Sequence, residues 1–171
     1  LSITNDGNSD LQPDLIWIKN RSDTDNHRLF NSTTSTGGNG LSLNSDGSAA
    51  EASNSAGGYM NGFNTDGFDL TDGASNGDVV KNNGENYVAW QWKANGGSTT
   101  TNDASATSIG DQDSVYQANT TSRFSIFTYG PLGSGGVLAH GLGTVPHLIF
   151  VKSRTGNRDW CIYHHKNTAA P

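Results

Sequence analysis

Cysteine and clustered positive charge are scarce in this sequence. Cys161 is the single cysteine, so an internal disulfide cannot form and the paired cysteines of common zinc motifs are missing. Lysine and arginine together number 10 against 16 acidic residues, the net charge is −6, and the basic residues form no cluster. Because phosphate backbones are bound by clustered positive charge, we predict no nucleic-acid partner. Stability is expected to come from packing or from neighbouring subunits.

Long apolar runs and glutamate are scarce as well. No segment approaches the roughly 18 consecutive apolar residues of a membrane-spanning helix, so we predict no membrane span. Of the 16 acidic residues, only Glu51 and Glu85 are glutamate. Glutamate is a good helix former whereas aspartate favours turns and caps, so the sequence predicts little helix. The one helix signal is the capping-box pattern of Ser48 and Glu51, which predicts one or two helical turns over residues 48–52.

Turn-forming residues, by contrast, are abundant. Gly, Ser, Thr and Asn make up 77 of the 171 residues, and Asn-Gly and Asp-Gly pairs recur along the chain. These pairs tolerate the positive φ of tight hairpin turns, and the aromatic residues lie in short apolar runs typical of strands. We therefore predict an all-β fold made of antiparallel β-sandwich modules, jelly-roll-like and arranged in tandem. The predicted strands are 15–19, 68–70, 79–81, 87–93, 124–129, 137–139, 148–151 and 160–164.

An internal repeat divides the chain. Residues 13–22 match residues 146–155 at a constant offset of 133, and five of the ten positions are identical. A period of this size is a domain length. The sequence therefore predicts a β-sandwich module at 1–94 whose first strand lies upstream, and a polar linker at 95–121 with a candidate edge strand at 114–118. The start of a second, homologous module follows at 122–171. Because the chain starts at Leu1 rather than Met, we expect it to be a piece of a longer polypeptide.

The sequence gives little support for catalysis. The carboxylates sit mostly beside Gly or Asn in turn contexts, and the Gly-x-Ser-x-Gly match at residues 73–77 is built from Asp-Gly and Asn-Gly pairs typical of turns. Cys161, between Trp160 and Ile162 in a predicted strand, is interpreted as a packed or strand-edge residue rather than a nucleophile. We predict a non-enzymatic protein with no catalytic and no cofactor-binding residues.

Metal binding finds weak support in the sequence. His164 and His165 are adjacent, so on a strand their side chains point to opposite faces and do not converge on one ion. The Asp-rich segments 23–26, 65–69 and 111–113 offer oxygen donors, but none completes a twelve-residue calcium loop. We predict Asx turns in these segments and no metal site, with calcium as the open alternative.

The four tryptophans allow two interpretations. Tryptophan on an alternating strand usually belongs to the core, where it buries a large area, and this is the prediction for Trp17 and Trp90. Exposed aromatic rings can instead stack on sugars. On that interpretation the candidate glycan contacts are Trp92, Trp160 and Tyr163.

Several segments together resemble a known type of module. They are 124–129, 139–154 and 159–164, together with 66–68 and 84–93, and in this combination they are similar to a module of marine phage, particularly cyanophage, structural proteins. The resemblance spans most of the chain. It implies a role at the virion surface, as a tail fibre, capsid fibre or decoration protein, and it supplies no catalytic residues.

The resemblance and the residue patterns lead to one functional expectation and one alternative. We expect a non-enzymatic structural component of a phage virion exterior that forms a homo-oligomer, with a trimer favoured. Its expected partners are other virion proteins and host-surface glycans. The alternative is a bacterial surface adhesin or filament subunit with tandem β domains, located at the cell surface or outside the cell.

Overall fold

Antiparallel strands make up most of the regular secondary structure in the described residues. A computed structural model describes residues 1–35, 40–53, 55–73, 80–131 and 136–167. Within these ranges there are thirteen strands, one short α-helix and one 3-10 turn at Ser55–Gly57. The prediction of an all-β fold with little helix is confirmed. The elements are β1 (Ser2–Thr4), β2 (Leu15–Asn20), β3 (Arg28–Asn31), β4 (Leu41–Leu43), β5 (Ala52–Ser53), β6 (Tyr59–Asn64), β7 (Gly67–Thr71), β8 (Tyr87–Trp92), β9 (Thr100–Asn102), α1 (Ala104–Thr107), β10 (Ser114–Asn119), β11 (Phe124–Tyr129), β12 (Leu148–Val151) and β13 (Cys161–His164).

The strands form four antiparallel sheets. The largest has five strands in the order β5-β4-β3-β2-β8, and a three-stranded sheet has the order β1-β7-β6. A second three-stranded sheet has the order β9-β10-β11, and β12 pairs with β13 as a separate hairpin.

The core lies between the five-stranded sheet and the β1-β7-β6 sheet. Alternation along β2 turns Ile16 and Ile18 inward, where they join Phe30 of β3. The opposing sheet contributes Phe68, and the remaining members of the cluster are Met60, Leu70 and Val80. Burying side chains of this size contributes about 1.5–3 kcal/mol each. The two sheets therefore form the predicted sandwich.

Strand β8 places its tryptophans away from this core. Tyr87 and Ala89 pack against the core cluster, whereas Trp90 is 45% exposed. The register explains this difference, because Ala89 lies opposite the inward-facing Ile18 while Trp90 lies opposite the outward-facing Trp17. The prediction that Trp17 and Trp90 belong to the core is wrong.

The segment predicted as a linker contains regular structure. It holds β9, α1 and the whole of β10, and β10 lies between β9 and β11 rather than at an edge. The predicted edge strand at 114–118 is therefore a central strand. In α1, the Asp103 carboxylate caps the helix by accepting from Ser105 Oγ at 2.6 Å and from Ala106 N at 3.1 Å, and these bonds lower the pKa of Asp103. The domain boundaries at 94 and 121 stay a prediction.

Two other local predictions are wrong, and a third is wrong for the residues that the structure describes. No helix forms over residues 48–52, because the Glu51 carboxylate accepts from Thr34 Oγ1 at 2.9 Å and from Arg154 Nε at 2.6 Å instead of capping a helix. Residues 137–139 form no strand and contribute a single bridge between Leu138 and Gln112. In the predicted strand 79–81, residues 80 and 81 are not in a strand and residue 79 lies outside the described residues.

The sequence repeat folds into the same hairpin twice. Strand β2 pairs with β3 from Leu15↔Asn31 to Ile18↔Arg28. Strand β12 pairs with β13 from Leu148↔His164 to Val151↔Cys161, so both partners of every pair are shifted by the repeat offset of 133. A backbone bond just beyond the strands is also repeated. Ser32 N donates to Asp14 O at 2.9 Å, and His165 N donates to His147 O at 2.9 Å.

Candidate binding face

The outer side of the five-stranded sheet carries a row of large apolar side chains. In β2, Leu15 and Trp17 alternate with the inward-facing isoleucines and therefore point outward. The register places Trp92 opposite Leu15, Trp90 opposite Trp17, and Leu29 opposite Trp17 on the other side. We call these five residues, Leu15, Trp17, Leu29, Trp90 and Trp92, the aromatic face.

The indole rings of this face differ in how firmly they are held. Trp17 and Trp90 have ring centroids 5.5 Å apart at an angle of 57°. Trp17 Nε1 also donates to His27 Nδ1 at 2.8 Å, which fixes the central ring. Trp92 is 36% exposed and stacks against Phe124 with centroids 6.3 Å apart. Two partly open rings on β8 therefore lie on the same side of one anchored ring on β2.

Polar groups border the face near the start of β3. Asp46 accepts from His27 N at 3.2 Å, and Asn44 Oδ1 accepts from Arg28 Nη1 at 2.7 Å. Burial lowers the pKa of the Arg28 guanidinium below its ordinary value, while the charges of Asp46 and Asp25 oppose that shift. An apolar patch with a polar border is typical of an interaction surface.

A buried carboxylate fixes the end of β8 that carries Trp92. Asp14 is fully buried and accepts from Ser32 Oγ at 2.6 Å. It also accepts from the backbone N–H groups of Ala94, Gly96 and Gly97 at 2.7–2.8 Å. Backbone N–H groups that converge in this way stabilise an anion. Since these donors surround the carboxylate, we assign Asp14 a structural role.

The three predicted glycan contacts do not converge. Trp92 belongs to the aromatic face, whereas Trp160 Nε1 donates to Asn44 O at 2.9 Å and Tyr163 lies on β13. In the described part of the chain no ring contact joins any two of them. At the repeat offset of 133, Trp160 and Tyr163 correspond to His27 and to the core residue Phe30.

Sequence reasoning missed Trp17 and Trp90 as surface residues. Strand β8 has large side chains on both faces, so its alternation cannot tell which face is buried. The exposed face of β8 is revealed by the register in which β8 pairs with β2, and this register is known only from the folded sheet.

The aspartates of the calcium candidates are used within their own loops and neighbouring segments. Asp23 Oδ1 accepts from Thr24 N at 2.6 Å, Asp66 Oδ1 from Leu11 N at 3.1 Å, and Asp111 Oδ1 from Val137 N at 2.7 Å. Over the described ranges, no group of three or more His, Cys, Asp or Glu residues is placed to hold a metal ion. These contacts do not test the prediction that the protein uses no metal or cofactor, with calcium as the alternative, and it stays a prediction.

Two further observations bear on candidate chemistry. Cys161 is exposed on β13, and the imidazole rings of His147 and His165 stack with centroids 4.1 Å apart.

Within the residues that the structure describes, no helix combines the length and apolar character that crossing a membrane requires.

Fold and surface together define an all-β module whose largest sheet has an aromatic outer face. The family model described as a domain of unknown function (DUF7483) matches residues 3–170, and the chain belongs to this family. No curated protein and no solved structure gives a match to the chain.

Proposed function

We propose that this chain is a non-enzymatic structural module of a phage particle's exterior, and that its aromatic face binds host-surface glycans. The module would form part of a tail fibre, capsid fibre or decoration protein. The observation that carries the proposal is the exposure of Trp90 and Trp92 beside the anchored Trp17 on the outer side of the sheet.

The chemistry of the face suits a sugar. One side of a pyranose ring presents C–H groups that pack on an aromatic ring, while its hydroxyls need hydrogen-bond partners at the border. The border supplies these through the amide of Asn44 and the carboxylate of Asp46. With a net charge of −6, the chain repels polyanions at long range, which favours neutral glycans over acidic ones.

The structural role rests on the repeat and on the phage resemblance. A hairpin that recurs at the offset of 133 in the same register is typical of proteins built from tandem modules. Segments 84–93 and 124–129, which contribute to the resemblance, form β8 and β11. Location at the virion surface and assembly into a homo-oligomer, with a trimer favoured, belong to the same proposal.

A glycan array followed by calorimetry tests the binding face. The purified chain is expected to bind a subset of neutral oligosaccharides. Trp90→Ala should weaken that binding about tenfold or more, because truncating a central aromatic contact commonly costs above about 1–2 kcal/mol. Tyr129→Ala is the matched control, since it removes a comparably exposed ring from a different sheet. Equal affinity of both variants would show that the aromatic face is not the site.

Immunogold electron microscopy tests the location. Antibodies raised against the purified chain should label the outside of phage particles, and light scattering should give the mass of a trimer. Labelling of bacterial surfaces without particles would favour the adhesin or filament alternative. Release of new reducing ends from a bound glycan would contradict the non-enzymatic assignment.

A further inference from the structure

The two copies of the repeated hairpin have different neighbours. In the first copy, the far edge of β2 pairs with β8 over six residues, from Leu15↔Trp92 to Asn20↔Tyr87, and β3 pairs with β4. In the second copy, β12 and β13 pair only with each other among the strands of the described ranges. The edge of β12 that corresponds to the β8-binding edge of β2 is therefore unpaired there.

The side chains of the second copy are exposed where those of the first are covered. Phe30 is 1% exposed, while its equivalent Tyr163 is 51% exposed. Phe150 and Ile162, opposite each other on the other side of the hairpin, are 57% and 60% exposed. An unpaired strand edge next to exposed apolar side chains is a template for pairing with a further strand.

We propose that the free edge of β12 binds, in antiparallel orientation, a strand of the β8 type from a further repeat of this module. The partner is an extended segment with tryptophan at alternate positions, as in Tyr87–Trp92. Its register follows from the offset of 133. Leu148 would lie opposite the equivalent of Trp92, and Phe150 opposite the equivalent of Trp90.

Continuity with the β2–β8 interface favours this partner. The register of β12 on β13 is that of β2 on β3, so the backbone of β12 presents its outer donors and acceptors in the same alternation. The exposed side chains Leu148 and Phe150 occupy the places of Leu15 and Trp17, which contact β8 in the first copy. Pairing of large apolar and aromatic side chains across strands stabilises such an interface.

A synthetic peptide of residues 86–93 provides the probe. It is titrated into the isotope-labelled full chain while backbone amide exchange is followed by NMR. We expect the outward-facing amides of β12 to exchange about tenfold more slowly with bound peptide, because an added strand protects them. The amides of β2, already paired with β8, should not change. A scrambled peptide of the same composition is the control.

A pair of variants makes the test specific. Phe150→Lys places a charge on the proposed edge and should abolish the slowing, since lysine discourages pairing at edge strands. Ile162→Lys makes the same change at a similarly exposed site on β13 and should retain it. No slowing with the peptide, or equal slowing with the scrambled peptide, would overturn the proposal. Protection of β12 that rises with chain concentration, together with a dimer mass, would identify a second copy as the occupant instead.

Discussion

The hairpins β2–β3 and β12–β13 share a sequence pattern, a pairing register and flanking backbone bonds, yet one lies within the core and the other is exposed. The difference arises from what surrounds them. β2 and β3 are flanked by β8 and β4 and covered by the β1-β7-β6 sheet, whose Phe68 and Met60 complete the core. The local sequence therefore determines the hairpin, whereas its neighbours determine which of its side chains are buried.

The second hairpin is held by side-chain contacts instead of a core. Arg154 binds the Glu51 carboxylate, Lys152 Nζ donates to Ser48 O at 3.1 Å, and Trp160 Nε1 donates to Asn44 O. All three contacts lead to the segment that joins β4 to β5. Since an isolated two-stranded hairpin is marginally stable in water, these contacts are expected to keep it in place.

The largest contrast between the two hairpins is expected from truncating the equivalent residues Phe30 and Tyr163. Phe30→Ala should lower the free energy of unfolding by about 3–5 kcal/mol, because it leaves a cavity in the core. Tyr163→Ala should lower it by less than about 1 kcal/mol, since the ring is half exposed. Urea denaturation followed by circular dichroism measures both.

A milder substitution covers the event that Phe30→Ala does not fold. Phe30→Leu keeps most of the volume and should cost no more than about 1.5 kcal/mol, still above the effect of Tyr163→Leu. Similar losses of unfolding free energy at the two positions would mean that the second hairpin is as well buried as the first, which contradicts the proposed difference between them.

The second prediction concerns Asp14 and its repeat equivalent His147. Asp14→Asn replaces one acceptor oxygen by an NH2 donor, which faces the N–H groups of Ala94 and Gly96 in one amide orientation and that of Gly97 in the other. Leaving buried donors unsatisfied costs about 1–3 kcal/mol, and a loss of about 2–3 kcal/mol is expected here. His147→Asn, at an exposed position, should change stability by no more than about 0.5 kcal/mol. Thermal unfolding of both variants at neutral pH measures the two losses of stability. An Asp14→Asn variant as stable as the original chain would contradict the structural role of Asp14.

Much of the fold could be predicted from local patterns. The alternation of β2 and the apolar runs of β11 and β12 gave strands whose observed bounds agree within a residue. The Asp66-Gly67 pair predicted a turn, and Gly67 adopts φ +118° where a side chain would collide with the carbonyl oxygen of Ile3. These features depend on neighbouring residues in the chain.

The features that could not be predicted depend on distant residues. β6, with Asn61, Gly62 and Asn64, has a weak strand pattern and is held by its pairing with β7. Glu51 favours a helix locally, but the distant Arg154 takes its carboxylate. The outward orientation of Trp90 follows from the register of β8 on β2. Tertiary contacts override local preference at each of these places.

The smallest expected effect concerns the tie between the second hairpin and the first module. Arg154→Ala removes the ion pair with Glu51, whose side chain is 5% exposed while that of Arg154 is 43% exposed. Discounted for this exposure, the loss should be about 1 kcal/mol, felt as local opening of β12–β13 rather than global unfolding. Amide exchange in β12 and β13 should therefore accelerate about fivefold while exchange in β2 and β3 stays unchanged.

Arg21→Ala, at the equivalent and exposed position of the first copy, is the control and should leave exchange in both hairpins unaltered. Faster exchange in β2 after Arg154→Ala would show that the two hairpins open together. The second hairpin would then unfold as one cooperative unit with the first, although its own side chains are exposed.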